Sequence, residues 1–114
     1  MEEIKKGKLK NIEAEELLRL EDQLNYQKGQ VVSKTLVQNP HVSLTLFSFD
    51  RGEEISTHSS EGDAMVTVLD GVGRFTVGEK TFLVSKGETL IMPAHIPHAV
   101  YGEEQFKMQL TVIF

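Results

Sequence analysis

The chain has 114 residues, 39% of them hydrophobic, and its 12 Lys and Arg against 17 Asp and Glu leave a formal charge of −5. That length predicts one domain able to bury a core without metal or disulfide staples. The absence of Cys excludes thiolate metal ligands and a cysteine nucleophile, the scattered basic residues argue against a nucleic-acid partner, and no apolar run approaches the ~20 residues of a membrane span.

In chain order, Met1 to Asn11 is charged and nearly free of apolar residues, and is expected to fray or lie on the surface. Glu2 and Glu3 follow Met1 and no apolar core follows the lysines, so no secretory leader is expected and the location reads as cytoplasmic. Ala14, Leu17, Leu18, Glu21 and Leu24 fall at helical spacing. Ile12 to Leu24 therefore reads either as a helix or as an extended arm followed by a turn at Glu21 and Asp22. Residues 1–30 form an N-terminal arm, part of the same domain or of a dimer interface, and residues 31–114 form the body.

From Val31 onward the pattern is one of short β-type runs divided by turn residues. Val31 to Val37 is rich in β-branched residues and stops at Gln38-Asn39-Pro40. In Val42 to Phe49, Val42, Leu44 and Leu46 share one face while Phe47 and Phe49 occupy the other, so both faces are expected to be covered. Asp50-Arg51-Gly52 reads as a turn. Met65 to Leu69 reads as a strand closed by Asp70-Gly71, and Arg74 to Val77 with Lys80 to Val84 flank Gly78-Glu79 as a tight hairpin. Thr89 to Met92 and Ala99 to Tyr101 are further short strands around an irregular corner bracketed by Pro93 and Pro97. Phe106, Met108, Leu110, Val112 and Phe114 alternate with Lys107, Gln109 and Thr111 in a last strand with one buried face. Short strands separated by Gly-rich turns predict an all-β sandwich or barrel.

The four His are His41, His58, His95 and His98, and the last three lie in two stretches read as irregular. His41, just after a turn signal, reads as a solvated strand-start residue. Around the others the spacing is regular. Gly52, five residues, His58, one residue, Ser60, three residues, Ala64, six residues and Gly71 form one frame; Gly87, five residues, Pro93, one residue, His95, two residues, His98, three residues and Gly102 form a second. These frames resemble the two motifs of the cupins, in the order and spacing of a small single-domain member. The resemblance spans Gly52 to Gly102 and implies a double-stranded β-helix, the jelly-roll barrel of that family. It also implies a divalent metal ion (Zn, Fe, Ni or Mn) held by two His and a Glu of the first motif and a His of the second.

Here the second His position is Ser60, the Glu position is Ala64 and the closing Asn is Gly102. His58 and His98 alone are one ligand short of the three that a catalytic zinc or a non-haem iron centre takes from its protein. His95 is the first candidate for a third metal ligand. Asp63 is the second, although in an extended segment it faces away from Ser60 and Ala64. Without metal, His58 and His98 would each hydrogen-bond their neighbours in an inherited polar pocket, His95 would be a surface loop residue, and Ser60 would bond a turn backbone. Ser60, Ala64, Phe47, Phe49, Met92 and Met108 are the expected lining of a ligand pocket, the large apolar ones being equally at home in the core.

Two functions follow from the resemblance: a metal-dependent enzyme of the dioxygenase, isomerase or decarboxylase type, or a binding or sensing module for a small, partly apolar ligand anchored by His58, His98 and Ser60. A purely structural role leaves the His cluster unexplained. Exposed barrel edges predict a homodimer in which the arm or the Val31 to Val37 strand pairs with a second subunit. Sizing at micromolar concentration checks this, and a monomer there would overturn it.

Overall fold

The computed structural model describes residues 8–114. Seven strands carry the architecture: β1 (Val31–Gln38), β2 (Val42–Phe49), β3 (Glu54–His58), β4 (Asp63–Val77), β5 (Lys80–Ser85), β6 (Thr89–Met92) and β7 (His98–Ile113). All neighbours are antiparallel, in the order β1-β2-β7-β4-β5, with β3 on β7 and β6 on β4. The two long strands pair along their whole length, from Asp63 opposite Ile113 to Val77 opposite His98. One half of that ladder is flanked by β6 and by β2 with β1. The other half is flanked by β5 and β3. The chain thus forms two sheets that share β4 and β7, which is the expected double-stranded β-helix.

Strand alternation builds two apolar layers. Phe49, Val66, Val68, Phe75, Phe106 and Met108 face inward and form the main core. Phe106 stacks on Phe49 at 4.6 Å between ring centroids and meets Phe75 edge-on at 5.9 Å. On the outer face, Leu46 and Leu36 join Leu24 of the arm in a second cluster, with Ile12 and Leu20 packed against it. Both faces of β2 are therefore covered, as its two apolar sets required.

The arm is strapped to the barrel by polar contacts. Tyr26 Oη donates to Asp70 Oδ2 at 2.5 Å, and Ser48 Oγ donates to the Asn25 carbonyl at 3.0 Å. Lys107 Nζ donates to the Glu21 carbonyl at 2.5 Å and lies 4.9 Å from the centre of the Tyr26 ring. Burial and the adjacent Asp70 carboxylate push the Tyr26 phenol well above its usual range, so it stays protonated as donor. The helix expected over Ile12 to Leu24 does not form. Only a 3-10 turn at Leu20–Gln23 is present, and Leu17 and Leu18 are exposed. The extended arm with a turn at Glu21 and Asp22 is the alternative that holds. Of the segment expected to lie on the surface, Lys8 to Asn11 is exposed, and residues 1–7 lie outside the described residues.

The expected strands at Met65 to Leu69 and Arg74 to Val77 are one continuous β4, and those at Ala99 to Tyr101 and Phe106 to Phe114 are one β7. Asp70-Gly71 reads as a chain reversal because Gly favours positive φ, and Gly71 does have φ +72°. Here that conformation serves a register shift in the β4–β7 ladder, the irregularity that lets one strand pass from one sheet to the other. Strand β3 carries no strong β pattern, since its burial is confined to Ile55. The arm also bears on association. Lys10 N–H donates to the Leu36 carbonyl at 2.8 Å and Asn11 Nδ2 to the Thr35 carbonyl at 2.8 Å, so the chain partly covers its own β1 edge.

Candidate functional site: an imidazole pair at a barrel end

His58 is the last residue of β3 and His98 the first of β7, and the two are directly opposite in the antiparallel ladder. Directly opposed residues place their side chains on the same face. The rings accordingly meet edge to face, with centroids 4.4 Å apart and planes at 68°. His98 is buried, at 4% exposure, whereas His58 is exposed.

Each ring is oriented by the backbone two residues before it. His58 Nδ1 lies 2.8 Å from the Ser56 carbonyl oxygen, and His98 Nδ1 lies 3.1 Å from that of Ile96. A carbonyl only accepts, so in each case Nδ1–H is the donor and Nε2 of the neutral ring keeps its lone pair. This tautomer is the one a metal-ligating His adopts when its second nitrogen is fixed by a backbone carbonyl. Burial lowers the His98 pKa below the ordinary imidazole value; the Ile96 carbonyl opposes that shift, and the neighbouring His58 adds to it. Neutral His98 is therefore the resting form at neutral pH.

The remaining expected site residues are placed otherwise. His95 is exposed, has left-handed backbone at φ +67°, and its N–H donates to the Ser60 carbonyl at 2.8 Å. Asp63 Oδ1 accepts from Ala94 N–H at 2.8 Å and so pins the Pro93 corner. Ser60 Oγ accepts from Gly62 N–H at 3.1 Å, the turn-backbone bond weighed for it above. Among the described residues no group of three or more His, Cys, Asp or Glu gathers at metal-holding distance. His95 and Asp63 thus do not complete a set with the pair.

The large apolar residues expected near a pocket belong to the core. Phe49, Ala64, Met92 and Met108 are buried side chains of the main core, and Phe47 packs against it half-buried. They share that core with Phe75 and Phe106, Phe106 being stacked on Phe49 and edge-on to Phe75. The imidazole pair stands at one end of the β4–β7 ladder.

The donors present match two positions of a borderline divalent ion, for which neutral imidazole is a suitable ligand. They fall short of the three protein ligands of a resident catalytic centre. Ala64 offers no donor atom and Ser60 already holds a turn.

The chain matches known proteins at the level of fold and sequence. The family model of the cupin domain matches residues 45–114. A conserved protein of unknown function from Streptococcus pyogenes is 44% identical over 95% of each chain, with a TM-score of 0.93. A cupin superfamily protein from Desulfitobacterium hafniense DCB-2 is 31% identical over 95% of this chain and 99% of its own, with a TM-score of 0.90. A cupin 2 conserved barrel domain protein from Leptotrichia buccalis is 47% identical with a TM-score of 0.83; the match covers 85% of this chain and 47% of that one, so this chain corresponds to about half of it. No curated protein matches. Among the described residues no helix is long and apolar enough to cross a membrane. With its family model matched over most of the chain and both motif frames in place, this chain belongs to the cupin family.

Proposed function

We propose that this chain is a small-molecule-binding cupin whose polar anchor is the His58–His98 pair, and that the pair can take up one divalent ion through its two Nε2 atoms. The observation that supports this reading is the matched orientation of the two rings: both Nδ1 atoms are committed to backbone carbonyls, and the rings lie 4.4 Å apart. A packing role asks for no such common tautomer. With two protein donors, the other positions of the ion are left to solvent or to a ligand, so the ion exchanges readily. When bound, it would supply Lewis-acid polarisation of a ligand oxygen. What the chain itself does is orient: the Ser56 and Ile96 carbonyls hold the rings, and burial keeps His98 neutral and so competent to accept.

Calorimetric titration with zinc or nickel tests the reading on protein stripped with a chelator. One ion per chain is expected, with affinity weakened at least about tenfold in either His58→Ala or His98→Ala, because each variant removes one of two donors. His58 is exposed, so its variant should fold even where the buried His98→Ala does not. Unchanged affinity in His58→Ala, or no uptake at millimolar metal by the unsubstituted chain, overturns metal uptake. The donor count favours a second reading, in which the same Nε2 atoms accept hydrogen bonds from a ligand without any ion.

A further inference from the structure

The register of one sheet places four residues in a single transverse row. His58 is opposite His98, His98 is opposite Val77, and Val77 is opposite Lys80, across β3, β7, β4 and β5. Directly opposed residues share a face, and Val77 packs against the main core, so this face is the inner one. The next inward pair along the hairpin confirms the parity, since Phe82 is opposite the fully buried Phe75. Lys80 thus belongs to the same barrel end as the imidazoles. Neither of the two ion pairs among the described residues includes it.

Beside this row lies a cleft of about 550 Å³ lined by Val77, Phe82, Leu90, Pro93 and Ile96, with Glu79 and Lys80 at its polar side. It opens where β5 and β6 diverge from β4, one to each sheet. The corner that carries His95 closes it: Gly78 N–H donates to the Pro97 carbonyl at 2.8 Å, holding Ile96 and the hairpin together. The imidazoles do not line the cleft themselves; Val77, common to the cleft and to the row and opposite His98 in the ladder, is what connects the two.

We infer that the cleft and the row form one binding site for an apolar-bodied carboxylate that carries a hydrogen-bond donor at its far end. Its apolar body lies along Val77, Phe82 and Ile96, its carboxylate pairs with Lys80, and its donor, a hydroxyl, reaches the Nε2 acceptors of the imidazole pair. The inference rests on the proposed role of that pair as polar anchor. Strands are spaced ~4.8 Å apart, so the β5 and β7 positions are ~10 Å apart and a ligand must bridge two strands, which calls for polar groups at opposite ends of an apolar frame. With both Nδ1 atoms committed to the Ser56 and Ile96 carbonyls, Nε2 is the atom each ring has left for a ligand.

The test uses 4-hydroxyphenylacetate as probe, followed by amide NMR on chelator-treated protein, with phenylacetate and 4-hydroxyphenethyl alcohol as controls. Shifts are expected at Val77, Phe82 and Ile96. Loss of either polar group from the probe, or Lys80→Gln in the protein, should weaken binding about tenfold, as expected for a charge-assisted or buried hydrogen bond. Glu79→Gln should tighten it by removing a like charge from the cleft. Equal binding of the alcohol and the acid, an unaltered affinity in Lys80→Gln, or no shifts at these three residues at millimolar probe overturns the inference. The titration contains no metal, so its failure is distinct from failure of metal uptake. If the acid binds normally to His58→Ala, the cleft and Lys80 stand and the imidazole contact does not.

Discussion

Replacing Phe106 by alanine is expected to cost about 3–5 kcal/mol of folding stability, the range for removal of a fully buried aromatic ring. For a chain of this length that lowers the thermal midpoint by on the order of 15 °C. The ring is wholly buried, stacked on Phe49 at 4.6 Å and edge-on to Phe75 at 5.9 Å, so no neighbour can collapse into its place without leaving another gap. It also explains a glycine. A Cβ on Gly73 would lie 2.6 Å from Phe106 Cε2 and 2.8 Å from Phe75 Cε1, so the strand passes there only without a side chain. Gly73→Ala should therefore be costly in the normal background and markedly less so with Phe106→Ala. A coupling of about 1 kcal/mol or more in the double-mutant cycle is expected. Calorimetric or denaturant unfolding of the four proteins measures it, and additive costs would refute the packing described.

The second large effect is at Gly71. Its φ of +72° costs an L-residue about 1–2 kcal/mol on its own. A Cβ there would in addition run into the Gln105 carbonyl oxygen, a backbone atom of the paired strand β7 that cannot turn aside. Gly87 is the natural control, because its φ is +87° but no atom lies within 4 Å of a Cβ built there. Gly87→Ala should cost about 1–2 kcal/mol, from the dihedral alone. Gly71→Ala should exceed 3 kcal/mol, near the upper end of what single substitutions do. Similar losses at the two positions in urea unfolding would show that the strand crossing tolerates a side chain.

These two glycines also show where the amino-acid pattern was readable and where it was not. Alternation in β2 and at the end of β7 identified both buried faces, because each strand is covered on the side its apolar residues mark. The Gly78-Glu79 hairpin was readable for the same reason, with Val77 opposite Lys80 as its closing pair. Asp70-Gly71 reads as the end of a strand because positive-φ glycine serves turns and bulges alike, and only the partner strand distinguishes them. The helix over Ile12 to Leu24 does not form because Leu24 buries itself against Leu36 and Leu46, with Leu20 packed beside it, from an arm that makes a single 3-10 turn, a contact that helical spacing cannot reveal. At the site, His58 and His98 are legible through the resemblance of the two motif frames to those of the cupins. Phe49, Met92 and Met108 are legible only as inward-facing apolar residues, since such side chains look alike in a hollow barrel and a filled one. In its local sequence Lys80 reads as a hairpin residue and nothing more. The signal that it belongs with the imidazoles is the register across four strands, which no local window contains.

The sharing of β4 and β7 by both sheets has a consequence for how the molecule comes apart. A sandwich made of two separate sheets can open one layer while the other persists, but here either layer would have to release half of a strand whose other half still holds the opposite layer. Local opening is confined to elements hung on one side, such as β1, β3, β5 and β6, while the central ladder unfolds only with the whole. Pairings along this ladder are also distant in sequence, Asp63 with Ile113 being its extreme, so it forms slowly relative to helical proteins of equal size. Of the two imidazoles, His98 is carried by the ladder and His58 by an outer strand. One imidazole therefore has the permanence of the global fold and the other the mobility of an edge, so in the proposed binding role a ligand would exchange by loosening β3 alone.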